Sequence, residues 1–270
     1  MGSSVNASRR RSLFGGITAA VVIGGAAFWI YLGNWNTPQS ALALFDKVAL
    51  PTGSDRVMIV SPHQDDETLG AGSYVMDAVR AGAAVEVVYA TDGNKHGLKD
   101  VRRAEALKVM GILGVQVDNV VFFDFPDGDL SVQKGFLPRL QVEIGRFKPT
   151  IVITAMPEDL HPDHAACGAT VAQINQIAKS FKAMYFLIHY QHYPRLTETA
   201  HDLYLLPPLQ LLTGKYNWHV LPVSRADQST KLTAIETYKS QLRVGYPILH
   251  QPLASFARRN EVFATLDSGS

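Results

Sequence analysis

Cysteine is almost missing from this chain: Cys167 is the single one among 270 residues. That excludes an intramolecular disulfide and any zinc site built on a thiolate cluster. Cys167 itself reads as a small core residue within a helix. Net charge is also nearly absent, with 25 Lys+Arg against 24 Asp+Glu. No basic face stands out, so the composition suggests no nucleic-acid partner. There is no internal repeat and no low-complexity tract. What remains is 47% hydrophobic and 18% charged. That is a globular composition, in a chain long enough for one large domain with a substantial core.

Charge is wholly missing from Leu13 to Gly33, an apolar stretch that follows Arg9, Arg10 and Arg11. Roughly 20 apolar residues span a bilayer as a helix, and positive charge ahead of the span favours a cytoplasmic N-terminus. The stretch therefore reads as a transmembrane anchor with the folded domain on the far side, or as a cleaved export signal. Arg10-Arg11-Ser12-Leu13-Phe14 is compatible with a twin-arginine signal, and Ala41-Leu42-Ala43 offers a cleavage site. A buried helix of the main domain is a third reading, which Gly15, Gly16, Gly24 and Gly25 fit poorly. In a bacterial cell the first two readings give a membrane-anchored extracytoplasmic domain or a secreted, periplasmic one. In a eukaryote the same anchor could leave the domain in the cytosol. The expected organisation is a basic tail over 1–12, the anchor or signal segment over 13–33, a linker over 34–54 and a single domain over 55–266. Asp267–Ser270 reads as a disordered tail.

Within the domain, short apolar runs alternate with helical patterns. Strands are expected at Arg56–Val60, Val85–Ala90, Val120–Phe125, Thr150–Ala155 and Met184–Tyr190, with one more at Trp218–Val223. Helices are expected at Gly70–Ala81, Lys99–Leu113, Val132–Phe147, Asp163–Lys179 and Lys231–Gln241. This alternation predicts an α/β fold with a Rossmann-like, mostly parallel sheet and helices on both faces. In the order 3-2-1-4, strands 1 and 4 are neighbours, and a site forms outside their carboxyl ends.

Both of those ends carry metal-ligating residue types. Ser61-Pro62-His63-Gln64-Asp65-Asp66-Glu67 follows the first strand, and His161-Pro162-Asp163-His164 follows the fourth. A catalytic zinc takes about three protein ligands and leaves one position open. Water on such a metal ionises near neutral pH. Hydrolysis then wants a carboxylate to take and return a proton and a donor for the developing oxyanion. Adjacent Asp65 and Asp66 would point differently from a turn, so one can bind metal while the other faces substrate. The competing reading is structural: acidic helix caps complementing the dipole. Either cluster alone allows it, but two such clusters at one switch point argue against it. A nucleotide site at Gly70-Ala71-Gly72 is a weak reading, since the acidic cluster would repel a pyrophosphate.

These residues resemble the LmbE-like or PIG-L family of zinc-dependent N-acetylglucosaminyl deacetylases. The family's His-Pro-Asp-Asp-Glu motif reads here His63-Gln64-Asp65-Asp66-Glu67. Its Thr-Asp-Gly reads Thr91-Asp92-Gly93, and its His-Pro-Asp-His reads His161 to His164. Arg102 to Glu105 with Leu113-Gly114-Val115, the loop Asp124 to Gly128, and Lys231 to Gln241 also match, so the resemblance spans about residues 55–245. Gln64 departs from the family's proline, which bears on the turn and not on the ligands.

The resemblance implies that His63, Asp66 and His164 bind Zn²⁺ or another divalent metal such as Fe²⁺. It implies Asp65 as general base and then acid, and His161 as oxyanion stabiliser. Arg102 would contact the substrate, with Asp127 and Asp92 as further substrate-side candidates. The remaining histidines carry no motif, apart from one expected to line the cleft from the 189–219 region. Tyr190, Tyr193, Tyr216 and Trp218 read as packing residues rather than a sugar-stacking surface. The implied activity is removal of an acetyl group from an N-acetylglucosamine-type amino-sugar conjugate, small or large. Hydrolysis of another amide or ester is the first alternative. A catalytically silent, membrane-tethered carbohydrate-binding protein is the second. The sequence names neither the group attached to the sugar nor an oligomeric state.

Overall fold

The computed structural model describes residues 37–191, 193–194, 200–242 and 252–266. A 3-10 turn, Gln39–Leu44, leads into β1 (Asp46–Lys47), β2 (Arg56–Ser61), α1 (Asp66–Arg80), β3 (Ala84–Thr91) and α2 (Lys99–Leu113). Next come β4 (Val120–Phe125), a 3-10 turn at Leu130–Val132, α3 (Phe136–Phe147), β5 (Ile151–Ala155), α4 (Pro162–Ala178) and β6 (Lys182–Phe186). β7 (Tyr216–Pro222), α5 (Arg225–Thr237) and β8 (Asn260–Leu266) complete the described chain.

The eight strands form one sheet in the order β1-β7-β8-β6-β5-β2-β3-β4. β2 lies parallel between β3 and β5, as expected of the first and fourth strands of a doubly wound sheet. Alternation along β2 explains the layering. Val57 and Ile59 face a core shared with Leu69 and Val75 of α1, Val109 of α2 and Ile235 of α5. Met58 and Val60 face the opposite core, with Leu140 of α3 and Val171 of α4. A strand covered on both faces must be apolar throughout, and Val57 to Val60 are fully buried. Cys167 is a buried member of the second core, as its isolation suggested.

Several boundaries differ from expectation. α1 starts at Asp66 rather than Gly70, inside the acidic cluster. Gly70 sits in the helix because a Cβ there would lie 2.3 Å from the Phe186 ring. α5 starts at Arg225, where the Ser224 hydroxyl accepts the Asp227 N–H at 3.1 Å and caps the helix. The strand expected at Met184–Tyr190 is Lys182–Phe186, and α3 is preceded by a 3-10 turn rather than beginning at Val132. β8 was not foreseen; it runs antiparallel to β6 and β7, so the sheet is mixed.

The segment expected as a linker is corrected from Thr37 onward. Thr37 Oγ1 donates to the Pro207 carbonyl at 2.5 Å, and Gln39 exchanges hydrogen bonds with Tyr204. Asp46 and Lys47 pair with His219 and Val220 of β7, covering a sheet edge that would otherwise stand open. The expected anchor or signal segment and Asp267–Ser270 lie outside the described residues. Among the described residues, no helix is long and apolar enough to cross a membrane.

Helix α4 approaches the end of β5 through Gly168. A Cβ there would stand 2.5 Å from the Ala155 carbonyl oxygen and 2.6 Å from the Pro157 nitrogen, both backbone atoms. Gly168→Ala should therefore cost on the order of 1–3 kcal/mol through overpacking, read as a lower urea midpoint. An unchanged midpoint would mean that α4 can back away from β5 freely.

Candidate metal centre

The carboxyl ends of β2, β3, β4, β5 and β6 deliver the polar residues to one cavity of about 230 Å³. His63, Asp65 and Asp66 come from the β2–α1 turn, Asp127 from after β4, His161 from before α4, and Ile188 and His189 from after β6.

Three donor atoms form a nearly equilateral triangle. His63 Nδ1 lies 3.1 Å from Asp66 Oδ2, His164 Nε2 lies 3.1 Å from the same oxygen, and the two nitrogens are 3.2 Å apart. Ligands held about 2.0–2.1 Å from a tetrahedral zinc stand roughly 3.3 Å from one another. The triangle therefore fits one small divalent cation. Two overlapping sets, His63–His161–His164 and Asp66–His164–His189, also bring their donor atoms within 4.8 Å of one another.

Carboxylates lie beside the outer nitrogen of each ring, the arrangement that orients metal-ligating histidines. His63 Nε2 lies 3.0 Å from Asp163 Oδ2 and 3.3 Å from Asp127 Oδ1. His164 Nδ1 lies 3.3 Å from Asp159 Oδ2. Asp163 is fixed in turn by the Gly128 and Leu130 N–H groups, at 2.7 and 2.9 Å. Asp159 does more than orient one ring. It also accepts the backbone N–H groups of His161, Ile188 and His189, each at 2.9–3.0 Å. One carboxylate thus joins the β5 and β6 loops. Sequence reading assigned no role to Asp159 or Asp163, although Asp163 lies inside the His161–His164 motif.

Asp65 occupies a strained turn, with φ of 142°. A non-glycine residue keeps such a φ only where its surroundings over-determine it. Its N–H donates to Glu67 Oε2 at 3.1 Å, and its carbonyl accepts from Thr68 and Leu69. Arg102 donates to the Gln64 carbonyl at 3.0 Å and sits 3.4 Å from Asp65 Oδ1. Gln64 Nε2 donates to the Thr91 carbonyl at 3.0 Å, so this side chain ties the turn to β3 where a proline could only stiffen it.

Burial and the neighbouring Asp66 charge raise the Asp65 carboxyl to about 8, against the pull of Arg102. Burial opposes charge on His164, yet Asp66 and Asp159 hold it up to about 9. Burial, with His63 and His164 nearby, lowers His161 to about 4, so its ring is neutral at pH 7. His161 Nδ1 accepts the Asp163 N–H at 3.3 Å, which leaves the proton of the neutral ring on Nε2. Burial works against the Asp127 carboxylate, but His63 and Arg102 bring it down to about 2.

Arg102 and Asp127 line the cavity, 3.6 Å apart, as does His189, from the region that offered a cleft histidine. Asp92 is not among the lining residues, and of its two readings, pocket or turn with Gly93, its contacts match the turn. Its Oδ1 instead accepts the N–H groups of Asn94 and Asp127, because a carboxylate at that turn is captured by the backbone beside it. Tyr216 and Trp218 are buried packing residues, outside the cavity.

Residues 58–175, which hold this whole donor set, match the family described as PIG-L: GlcNAc-PI de-N-acetylase. That stretch is similar to the family over somewhat less than half of the chain. The Bos taurus N-acetylglucosaminyl-phosphatidylinositol de-N-acetylase is 26% identical over 114 residues, covering 41% of this chain and 43% of that protein. The chain thus spans less than half the length of this curated relative. The chain also resembles an N,N'-diacetylchitobiose deacetylase from Pyrococcus horikoshii, with a TM-score of 0.54, 20% identity, and 70% and 71% of the two chains covered. The A40926 pseudoaglycone deacetylase is similar too, with a TM-score of 0.60, 19% identity, and 80% and 98% covered. At these identities the two structures support the fold.

Two outcomes follow for this centre. Asp159→Asn should weaken metal binding by about 10–100-fold, measured by competition with a chelator. Because His164 holds its proton up to about 9, a metal must displace that proton, and apparent affinity should fall as pH falls from 9 towards 6. A pH-independent dissociation constant would show that His164 is not a ligand.

Proposed function

We propose that this protein is a metal-dependent N-deacetylase that hydrolyses the acetamide of an N-acetylglucosamine-type amino-sugar conjugate, releasing acetate and a free amine. The observation that carries this reading is the donor triangle of His63, Asp66 and His164 with Asp65 standing unligated beside it. The family resemblance supports the same roles. Zn²⁺ is the favoured ion, since two imidazoles and a carboxylate in this triangle suit it.

When bound, a dication there supplies Lewis acidity and makes water acidic near neutral pH. The chain does the rest. Asp65 accepts the proton of the attacking water and returns it to the leaving amine. Arg102 fixes the Gln64–Asp65 turn and keeps the carboxyl aimed into the cavity. Neutral His161 presents its Nε2–H to the oxygen that becomes negative. Leu69, Ile188 and Leu253 line the cavity with apolar surface, which strengthens these polar interactions by excluding water. The N-terminal arginines and the apolar segment 13–33 support an extracytoplasmic domain, tethered to the membrane or secreted.

The test is acetate release from a panel of N-acetylglucosamine conjugates by the full chain, stripped of metal and then resupplied with Zn²⁺. Release should depend on the metal. Asp65→Asn should keep the metal and lose about 10²–10⁴-fold in turnover. Turnover that survives this substitution would overturn the base assignment. Bound metal without release from any conjugate would favour another amide or ester.

A further inference from the structure

Lys231 of α5 and Glu261 of β8 form an ion pair at 2.6 Å, with each side chain only 1% exposed. Neither lines the cavity, and the proposed chemistry uses neither. Both act on a single rung of helix α1. Lys231 Nζ donates to the Leu69 carbonyl at 2.9 Å. Glu261 accepts the N–H of Ser73 at 2.6 Å and that of Tyr74 at 3.0 Å. In an uninterrupted α-helix the Ser73 N–H pairs with the Leu69 carbonyl four residues back. Here the Lys231 ammonium reaches that carbonyl and the Glu261 carboxylate reaches that N–H, so the ion pair is inserted beside this rung.

The segment ahead of the insertion is the one that matters to the metal centre. The turn from Asp66 to Gly70 carries one corner of the donor triangle, follows Asp65 directly, and places Leu69 in the cavity wall. Its far side is seated on Phe186 through Gly70, which tolerates no Cβ. Gly72 leaves room beside the Lys231 stem, whose carbons would lie 3.8 Å from an added Cβ. The turn is thus clasped between β6 and an ion pair drawn from the last helix and last strand of the described chain.

We propose that Lys231 and Glu261 are positioning residues for the metal centre: by bonding the Leu69 carbonyl and the Ser73 and Tyr74 N–H groups they hold the direction of the first turn of α1, and with it the placement of Asp65 and Asp66. This rests on the reading of those two residues as base and ligand. A plain core ion pair would behave differently, because apolar residues of similar volume often replace such a pair without loss of stability.

The experiment uses the full-length double variant Lys231→Met/Glu261→Leu, which removes both charges and their hydrogen bonds to α1. Thermal unfolding first checks that it folds. Zn²⁺ dissociation constants from chelator competition are then compared with the parent, and kcat and KM are read separately on any conjugate that the parent deacetylates. The expected result is a folded protein that binds Zn²⁺ about 10–100-fold more weakly, with a lower kcat and a KM within a few-fold of the parent. Parental zinc affinity in the folded double variant would overturn the proposal. Should the double variant not fold, Glu261→Gln keeps the shape and one acceptor oxygen. Several-fold weaker zinc binding would support the clasp, and unchanged binding would overturn it. The zinc measurement decides the matter even if no conjugate is a substrate, so it stands apart from the deacetylase test.

Discussion

Everything at this centre depends on how buried negative charge is compensated. Asp65, Asp66, Asp159 and Asp163 are buried around His63, His164 and Arg102, and the Asp127 side chain closes the same group. Carboxylates out of water are costly unless each finds a cation or several donors. The chain supplies Arg102 as a fixed cation and otherwise recruits protons, holding His63 and His164 well above the usual imidazole range. Those protons sit where the donor triangle would hold a dication. Metal uptake and proton release are then one exchange, and the second row of carboxylates serves both states.

The fold contributes to this compensation before any side chain does. α1 and α4 both start at the centre, so the positive ends of two helix dipoles point at it. Asp66 and Glu67 lie in the first turn of α1, and Asp163 lies in the first turn of α4. The structural reading of the acidic clusters, as acids complementing a helix start, is therefore also true of the molecule. The same residues fill both roles because a parallel sheet ends its strands where its helices begin. His161 joins the two most directly, since its Nδ1 accepts the Asp163 N–H at the start of α4 while its ring faces the cavity.

How much of this was legible follows from the range of the interactions. The β2–β5 adjacency and the meeting of the His63–Asp66 and His161–His164 clusters could be read because local patterning marks the strands and topology supplies the rest, whereas the choice of His63, Asp66 and His164 among them came from the family resemblance. Asp159 could not, since nothing near it in sequence shows that its carboxylate reaches the loop of His189, 30 positions away. β8 was hidden for a related reason: Asn260 and Glu261 make its start look polar, and they are buried only because their partners, Leu205 and Lys231, arrive from elsewhere. The entry segment at Thr37–Lys47 has linker-like composition, yet its bonds run to residues more than 160 positions on. The start of α1 lies four residues ahead of the expected Gly70, inside the acidic cluster that reads as a ligand-bearing turn, and Gly70 is where the helix meets Phe186.

The position of Asp65 brings these threads to the chemistry. A group that must accept a proton from water and later give it to an amine works best with an affinity between the two. A carboxyl in water is too weak a base for that. Burial and the Asp66 charge move Asp65 up to about 8, and Arg102 keeps it from going further. A dication drawn to the triangle would neutralise Asp66 and bring Asp65 down again, leaving it ionised and ready to accept. The strained backbone at Asp65 fits this account. Its N–H is spent on Glu67, which Tyr238 and Thr68 hold from the other side, so the carboxyl projects into the cavity without a hydrogen bond from its own turn. Relaxing that turn would return Asp65 to the role of an ordinary helix cap and turn its carboxyl away from the donor triangle.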